Sequence, residues 1–402
     1  MRPFTSTISL DEARRRLDAN VRPIARTERV PLADAAGRVS AAAVTSAIDV
    51  PPFARSAMDG YAVIAADTLG ASRTSPASLR IVDRIYTGAP SRVEIVPGTC
   101  AEIATGAPLP AGADAVVMVE ETDKAGDGRI QILASATAGQ NIGRRGADIL
   151  AGDCVVEVGA TLTPSRVGAL AAAGCTDVEV FAKPRVAILS TGNEVVDTGR
   201  ALAPGQIYDV NRFTLAAIVS GHGGMPEPRR AAEDTVDALV AALDDCSSAD
   251  AIVFSGGSSV GERDLVVDAI GRRGKMIFHG IAVKPGKPTA FALVGDVPFF
   301  GMPGNPTSCL SNGYILLVPF LRATARLAPW RPQVVHVPLG RKIVSQAGRH
   351  QFYTVRLENG VAMPAFKGSG DITSLSRADG YIEISASESV VEEGAEVRVT
   401  LF

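Results

Sequence analysis

Residues 250–264 read DAIVFSGGSSVGERD. An apolar run, Ala251-Ile252-Val253-Phe254, gives way at Ser255 to Gly256-Gly257-Ser258-Ser259, and helix-forming residues resume near Glu262. A short apolar run closed by turn residues reads as a strand buried on both faces, the kind that parallel sheets contain. The same texture surrounds it. RVAILS at residues 185–190 is a second buried strand, and helices are expected over residues 211–220, 234–243 and 262–272. Strand-like pieces at 276–283 and 290–293 lead to a helix over about 306–325. Strands alternating with helices predict right-handed βαβ units around a mostly parallel sheet.

The flanks read differently. Ser9-Leu10-Asp11-Glu12 forms a capping box, with Ser9 as cap and Glu12 reaching back, and a helix is expected to about Val21. Residues 49–57 are proline-rich and extended, and residues 80–149 show short strands with turn signals, including Asp127-Gly128 between two of them. Thr163, Pro164 and Gly174 supply cap, first position and stop for a short helix. After Trp330-Arg331-Pro332 the chain shows only short strands to Phe402, as in a small β-barrel or sandwich. The fold class is multidomain α/β plus β.

Composition narrows the function. At 402 residues the chain exceeds one ordinary core. With 46% hydrophobic and 21% charged residues it is globular, and a net charge of −3 argues against a general nucleic-acid binder. The longest apolar run, YILLVPFL, is broken by Pro319 and too short to span a membrane. The first residues, MRPFTSTISLDEARRRL, lack the apolar segment of a signal peptide. The 5 cysteines are scattered, with no C-x-x-C, so a zinc or iron–sulfur framework is not expected and reduced thiols are. A cytoplasmic protein is expected, binding neither nucleic acid nor membrane.

The chemistry should gather at the carboxyl ends of the parallel strands, where open α/β sheets bind ligands. The Gly256–Ser259 loop opens a helix there, and a helix start offers free N–H groups to an anion. The bland reading is a tight turn. Standard nucleotide motifs are absent: Gly286-Lys287 is followed by Pro288, not Ser or Thr, and there is no G-x-G-x-x-G. One competing motif matches. Gly257 to Gly261 reads G-x-S-x-G, the nucleophile elbow of serine hydrolases, with Asp264 or Asp268 and then His279, His336 or His350 as partners. Asp264 in the first helical turn is ordinary for dipole reasons; functionally it would be a magnesium ligand beside a phosphate. Glu194, in STGNEV after the 185–190 strand, is a second acid at the same edge, or a solvated loop residue. Lys284 and Lys287 stand in KPGKP, where prolines stiffen the loop; they read as an anion site or as a surface turn. Asp59 in SAMDGYAV and Thr105 in IATGAP are, on physics alone, turn residues.

Taken together, SAMDGYAV, IATGAPLPAGADAVVMVEET, ILSTGNEVV, GQIYDVNRFTL, SGGSSVGERD, VKPGKP and GMPGNPTS resemble one family, the molybdopterin molybdotransferases; the gephyrin E domain is similar. The motifs stand in the family's order over residues 51–310. The resemblance implies an elongated four-part subunit. Residues 1–50 and 145–180 would form a linking domain, 51–144 a small β-rich domain, 181–326 the central molybdopterin-binding α/β domain with a mostly parallel sheet, and 330–402 a C-terminal β-barrel. It implies a homodimer whose cleft lies between the α/β domain of one subunit and the small β domain of the other. The implied reaction inserts molybdenum from molybdate into adenylylated molybdopterin and releases AMP, with Mg2+ as cofactor and contact with a molybdopterin adenylyltransferase.

The resemblance also assigns residues. Catalytic roles fall to Asp59, Thr105, Glu194, Asp264 and Lys284, with Asp264 holding the metal. Substrate contacts fall to Ser258, Lys284, Lys287, Pro303, Pro306, Ser308 and Asp234. Two departures stand out. Some members carry a lysine where this chain has Gly280, preceded by His279, and Glu233-Asp234 replaces a pair of aspartates. The competing readings are a molybdopterin adenylyltransferase, which usually lacks the flanking β domains, a serine hydrolase using Gly257–Gly261, and a non-enzymatic scaffold.

Overall fold

The computed structural model describes residues 7–229, 235–256, 265–345 and 347–402. The chain divides into two compact units, one of Arg29–Val180 and one of the residues up to Glu28 with Phe181–Phe402.

In the Arg29–Val180 unit a six-stranded sheet runs in the order Ala115–Met118, Gly60–Val63, Thr99–Ile103, Ala77–Ile85, Arg129–Ile132, Thr122–Gly126. Alternate residues serve opposite faces. Tyr61, Val63, Cys100 and Val117 pack one core, while Ala62, Ala101, Ile103 and Val116 pack another. The turn between the last two strands is Asp127-Gly128, as the sequence predicts. The short helix is Pro164–Ala172, with the Thr163 hydroxyl accepting the Arg166 N–H at 3.4 Å and Leu170 buried against Leu162 and Val180.

The other unit holds the α/β sheet, in the order Met225–Pro228, Arg185–Ser190, Ala251–Ser255, Val297–Met302, Ala290–Val294, Gly274–His279. The first four strands are parallel and the last two join antiparallel, so the sheet is mostly parallel. Helices cover both faces, with Leu215, Ile218 and Phe320 on one side and Leu239, Leu243 and Ile270 on the other. Val297–Met302 is a central strand that the sequence reading leaves out. Pro298 masks it, yet pairing with Ala251–Ser255 starts only at Phe299, so the missing N–H costs that ladder nothing.

Two expected helices are corrected. The N-terminal helix is Leu10–Asp18, and only half of its capping box forms. Ser9 Oγ accepts the Glu12 N–H at 3.2 Å, but the Glu12 carboxylate turns to Arg16 at 2.7 Å and Arg15 at 2.5 Å. The long helix over 306–325 is three segments: Pro306–Asn312, a π turn at Gly313–Leu317, and Val318–Thr324. Helix continues without interruption to Thr324, and Pro319 accounts for the π turn, because it lacks the N–H that would close the regular ladder onto the preceding turn.

The C-terminal strands close into a barrel. Val334–Pro338, Glu396–Leu401, Gly380–Ile384, His350–Glu358 and Val361–Pro364 pair in that order, and a bridge between Leu339 and Ala362 completes the ring. Leu339, Val355, Ile382, Val397 and Val399 fill it. All five cysteines are free; burial pushes the Cys100 thiol up to about 12 and raises Cys246 and Cys309, so these three are inert core residues. Among the described residues no helix is long and apolar enough to cross a membrane.

Candidate functional site

Three parallel strands end side by side. Ser190 lies opposite Ser255, and Ser255 opposite Met302, so Thr191, Gly256 and Pro303 begin three neighbouring loops at the carboxyl edge. Their backbones nearly touch. The Thr191 N–H donates to the Ser255 carbonyl at 3.1 Å, and a Cβ on Gly256 would stand 2.5 Å from the Thr191 carbonyl oxygen. Only glycine fits there, at φ +119. Gly304 neighbours it on the other side, where an added Cβ would lie 3.6 Å from Gly256 Cα, an ordinary contact.

A buried polar network supports this edge. The Ser190 hydroxyl donates to Asp209 Oδ2 at 2.5 Å, and Asp209 Oδ1 caps the helix Val210–Gly221 by accepting the Arg212 N–H at 3.0 Å. Asn211 Nδ2 donates to the Gly304 carbonyl at 2.8 Å, tying that helix to the third loop. Two buried atoms here, Thr191 Oγ1 and Asn211 Oδ1, have no hydrogen-bond partner among the described residues. A buried polar atom without a partner is costly, so this edge carries unspent hydrogen-bonding capacity. Sequence reasoning passed over Asp209 and Asn211; the signal was DVNRF, an Asx cap at a helix start beside the STGNEV strand. Glu194 belongs to the first loop. It is exposed, and its carboxylate folds back over Gly192, within 2.8 Å of where a Cβ would stand.

The lysine loop is anchored from below. Asn312, 1% exposed, donates through Nδ2 to the Gly286 carbonyl at 3.0 Å and to Thr289 Oγ1 at 2.5 Å. Gly286 adopts φ +104, and a Cβ there would stand 2.2 Å from Asn312 Nδ2. The Ile281 N–H donates to the Lys287 carbonyl and the Gly280 N–H to the Thr289 carbonyl, both at 2.9 Å. Lys284 and Lys287 are half-buried, and the Lys284 backbone pairs in parallel with Gln351 of the barrel. Asn312 ends the helix that Pro306 begins, so the loop's anchor lies about 9 Å along the helix axis from Pro306.

Pro303 is buried and Ser308 is 3% exposed, so Ser308 presents no open hydroxyl in this structure. The N–H groups of the helix start at Pro306 are also partly used. The Thr307 N–H donates to the Ser369 carbonyl at 3.1 Å, its hydroxyl to the Asp371 carbonyl at 2.7 Å, and Asn305 Nδ2 to Ser369 Oγ at 3.0 Å. A barrel loop, residues 366–371, therefore covers this helix start. Its GSGD sequence carried a turn signal that the sequence reading did not connect to the edge.

In the Arg29–Val180 unit, Asp59 Oδ1 accepts the Thr105 N–H at 2.7 Å and the Thr105 hydroxyl at 2.9 Å. The Thr105 N–H first and its hydroxyl second hold the Asp59 carboxyl below its ordinary value. The two residues read from sequence as separate turns are one hydrogen-bonded pair. Ser258, Asp264, Glu233 and Asp234 lie outside the described residues, as does Ser259 of the G-x-S-x-G motif. Of the histidines that motif would need, His350 faces Glu383 at 3.0 Å. Among the described residues no group of three or more acids, cysteines or histidines is placed to hold a metal.

Three family models match the chain in order: "MoeA N-terminal region (domain I and II)" over residues 8–174, "Probable molybdopterin binding domain" over 187–323, and "MoeA C-terminal region (domain IV)" over 336–402. A molybdopterin molybdenumtransferase 2 of Mycobacterium tuberculosis is 36% identical over 381 residues, covering 92% of this chain and 94% of that one. The chain belongs to the MoeA family of molybdopterin molybdenumtransferases. A family member from Haemophilus influenzae is 33% identical, with 98% of each chain covered. The crystal structure of a MoeA protein from Pyrococcus horikoshii superposes with a TM-score of 0.84 at 38% identity, covering 98% of this chain and 99% of that one. The MoeA match places the strand-end loops and the lysine loop inside the molybdopterin-binding domain, and Asp59 and Thr105 inside the N-terminal region.

Proposed function

We propose that the chain inserts molybdenum from molybdate into adenylylated molybdopterin. The two dithiolene sulfurs take up the metal, water cleaves the phosphoanhydride, and AMP leaves. The observation that carries this reading is the match to MoeA relatives along almost the whole chain, including both flanking regions that a bare pterin-binding domain would lack.

In this reading Lys284 and Lys287 attract the molybdate dianion, and the stiff, Asn312-anchored loop loses little entropy on binding it. Ser258 and the loops led by Pro303 and Pro306 shape the oxyanion pocket, with Ser308 and Asp234 beside it. Asp59, held ionised by Thr105, orients the substrate's polar edge. Magnesium belongs at Asp264, with Glu194 as a second carboxylate; one or two carboxylates with water and phosphate oxygens complete its usual shell. The ion would neutralise phosphate charge. We also propose a homodimer, which would bring the Asp59 region of one copy to the lysine loop of the other, and cytoplasmic delivery of the pterin by contact with an adenylyltransferase.

The test is reconstitution. Purified protein, adenylylated molybdopterin, magnesium and molybdate are mixed with a molybdenum-free apoenzyme. Activity that appears only with all components supports the reading; an apoenzyme left inactive contradicts it.

A further inference from the structure

A cavity of about 180 Å³ opens beside Asp59, wholly within the Arg29–Val180 unit. Tyr61, Glu102 and Arg84 line it from three adjacent strands. Tyr61 lies directly opposite Glu102, and Glu102 directly opposite Arg84, so the three side chains form a row on one face of the sheet. Arg84 Nε meets Glu102 Oε2 at 2.8 Å, with both side chains partly exposed. Tyr86, 62% exposed, stands at the rim, and Asp59 closes one side.

The volume is too small for a whole pterin nucleotide and suits one ring system. Its polar groups are specific. The carboxylate of Glu102 only accepts, and the Arg84 guanidinium only donates. Side by side they complement an edge with two adjacent donors followed by an acceptor. The pyrimidinone edge of a pterin has this order: the amino group, the ring N–H and the carbonyl oxygen. Adenine presents a ring acceptor beside its amine, which an ionised carboxylate repels. Molybdate and phosphate are anions, and two carboxylates, Asp59 and Glu102, against the one guanidinium of Arg84 disfavour both here. Tyr86 offers an aromatic face against which a flat ring can stack.

We propose that this cavity is the subsite for the pterin ring, with Glu102 and Arg84 reading its pyrimidinone edge and Tyr86 covering its face. The inference rests on the molybdotransferase reading for the identity of the substrate. It assigns specificity to residues outside the oxyanion loops, so the ring and the anions are held by different parts of the chain.

The experiment uses the full-length protein with Glu102→Gln and Tyr86→Ala. Binding of pterin and of AMP is measured separately, the first by pterin fluorescence and the second by calorimetry. The Michaelis constant and kcat for molybdate-dependent AMP release are measured alongside. Each variant should weaken pterin binding and raise the Michaelis constant for adenylylated molybdopterin about tenfold or more, while AMP binding and kcat hold. Circular dichroism confirms that both variants fold. Failure of the native protein to bind pterin, or variants that bind it as the native protein does, overturns the subsite even if AMP release proceeds. Pterin binding that depends on Glu102 without molybdate-dependent AMP release would leave the subsite standing and sink the reaction.

Discussion

Asp59 takes both bonds that Thr105 offers on one oxygen: Oδ1 accepts the backbone N–H at 2.7 Å and the hydroxyl at 2.9 Å. The second oxygen, Oδ2, makes no hydrogen bond among the described residues. A carboxylate fixed in this way is aimed and kept ionised, both of which a substrate-orienting group needs.

Thr105→Val removes the hydroxyl bond and keeps the N–H bond. The carboxylate then loses one of the two bonds that aim it, so kcat for AMP release should fall about tenfold. Thr105→Ser should restore it. Asp59 titrates from a value below 3.8, so the pair is intact above that and is lost as pH falls through the lowered value. In Thr105→Val the acid limb of the pH–rate profile should move upward; an unmoved limb would remove Asp59 from the reaction.

Lys284→Ala takes one cation from the anchored loop and leaves Asn312 and Gly286 in place. The molybdate concentration giving half-maximal rate should rise about tenfold, with kcat much less affected. Unchanged molybdate dependence would move the oxyanion site elsewhere.

Gly286→Ala forces a Cβ to 2.2 Å from Asn312 Nδ2 at a backbone φ of +104. Asn312→Leu instead removes the anchor and leaves the buried Gly286 carbonyl with only the Thr289 hydroxyl at 2.9 Å. Each should cost about 1–3 kcal/mol of stability and lower Tm in thermal unfolding. If the loop's shape matters, both should also raise the molybdate requirement. Wild-type stability in both variants would show that the Gly286–Asn312 contact carries no weight.

His222 packs edge-on against Trp330 and Tyr314, with ring centroids 5.4 and 6.3 Å away, and its Nδ1 is buried without a partner among the described residues. Burial first and Arg322 second lower its pKa from 6.5. The unfolded chain therefore binds this proton more readily than the folded one. The stability contribution is complete above pH 6.5 and is lost as pH falls from there through the folded value. His222→Phe should flatten the dependence of denaturation midpoint on pH in that window; an identical slope in both proteins would exclude His222 as its source.

Much of this fold is legible because the strands Arg185–Ser190 and Ala251–Ser255 are buried on both faces and read as plain apolar runs. Val297–Met302 was hidden by Pro298 and Gly301, residues that argue against a central strand until the one-sided start of its pairing is seen. The π turn before Pro319 was hidden because helical periodicity does not register one added residue. At the site, the lysines and strand-end glycines showed themselves by type and spacing. Their supports did not. Asn312 secures a loop 26 positions earlier in the chain, and Ser369 covers a helix start 64 positions from its partner Asn305. Nothing local in the sequence marks such long-range pairs. The Asp59–Thr105 pair was invisible for the same reason: 46 residues separate two unremarkable turns.

The central claim is that this chain couples molybdate uptake to cleavage of an adenylyl phosphoanhydride. The most direct measurement is AMP release from adenylylated molybdopterin with magnesium, with and without molybdate, following metal in the product. The account predicts AMP release that requires molybdate and yields metal-loaded cofactor. No release, or release that leaves the pterin without metal, would contradict it.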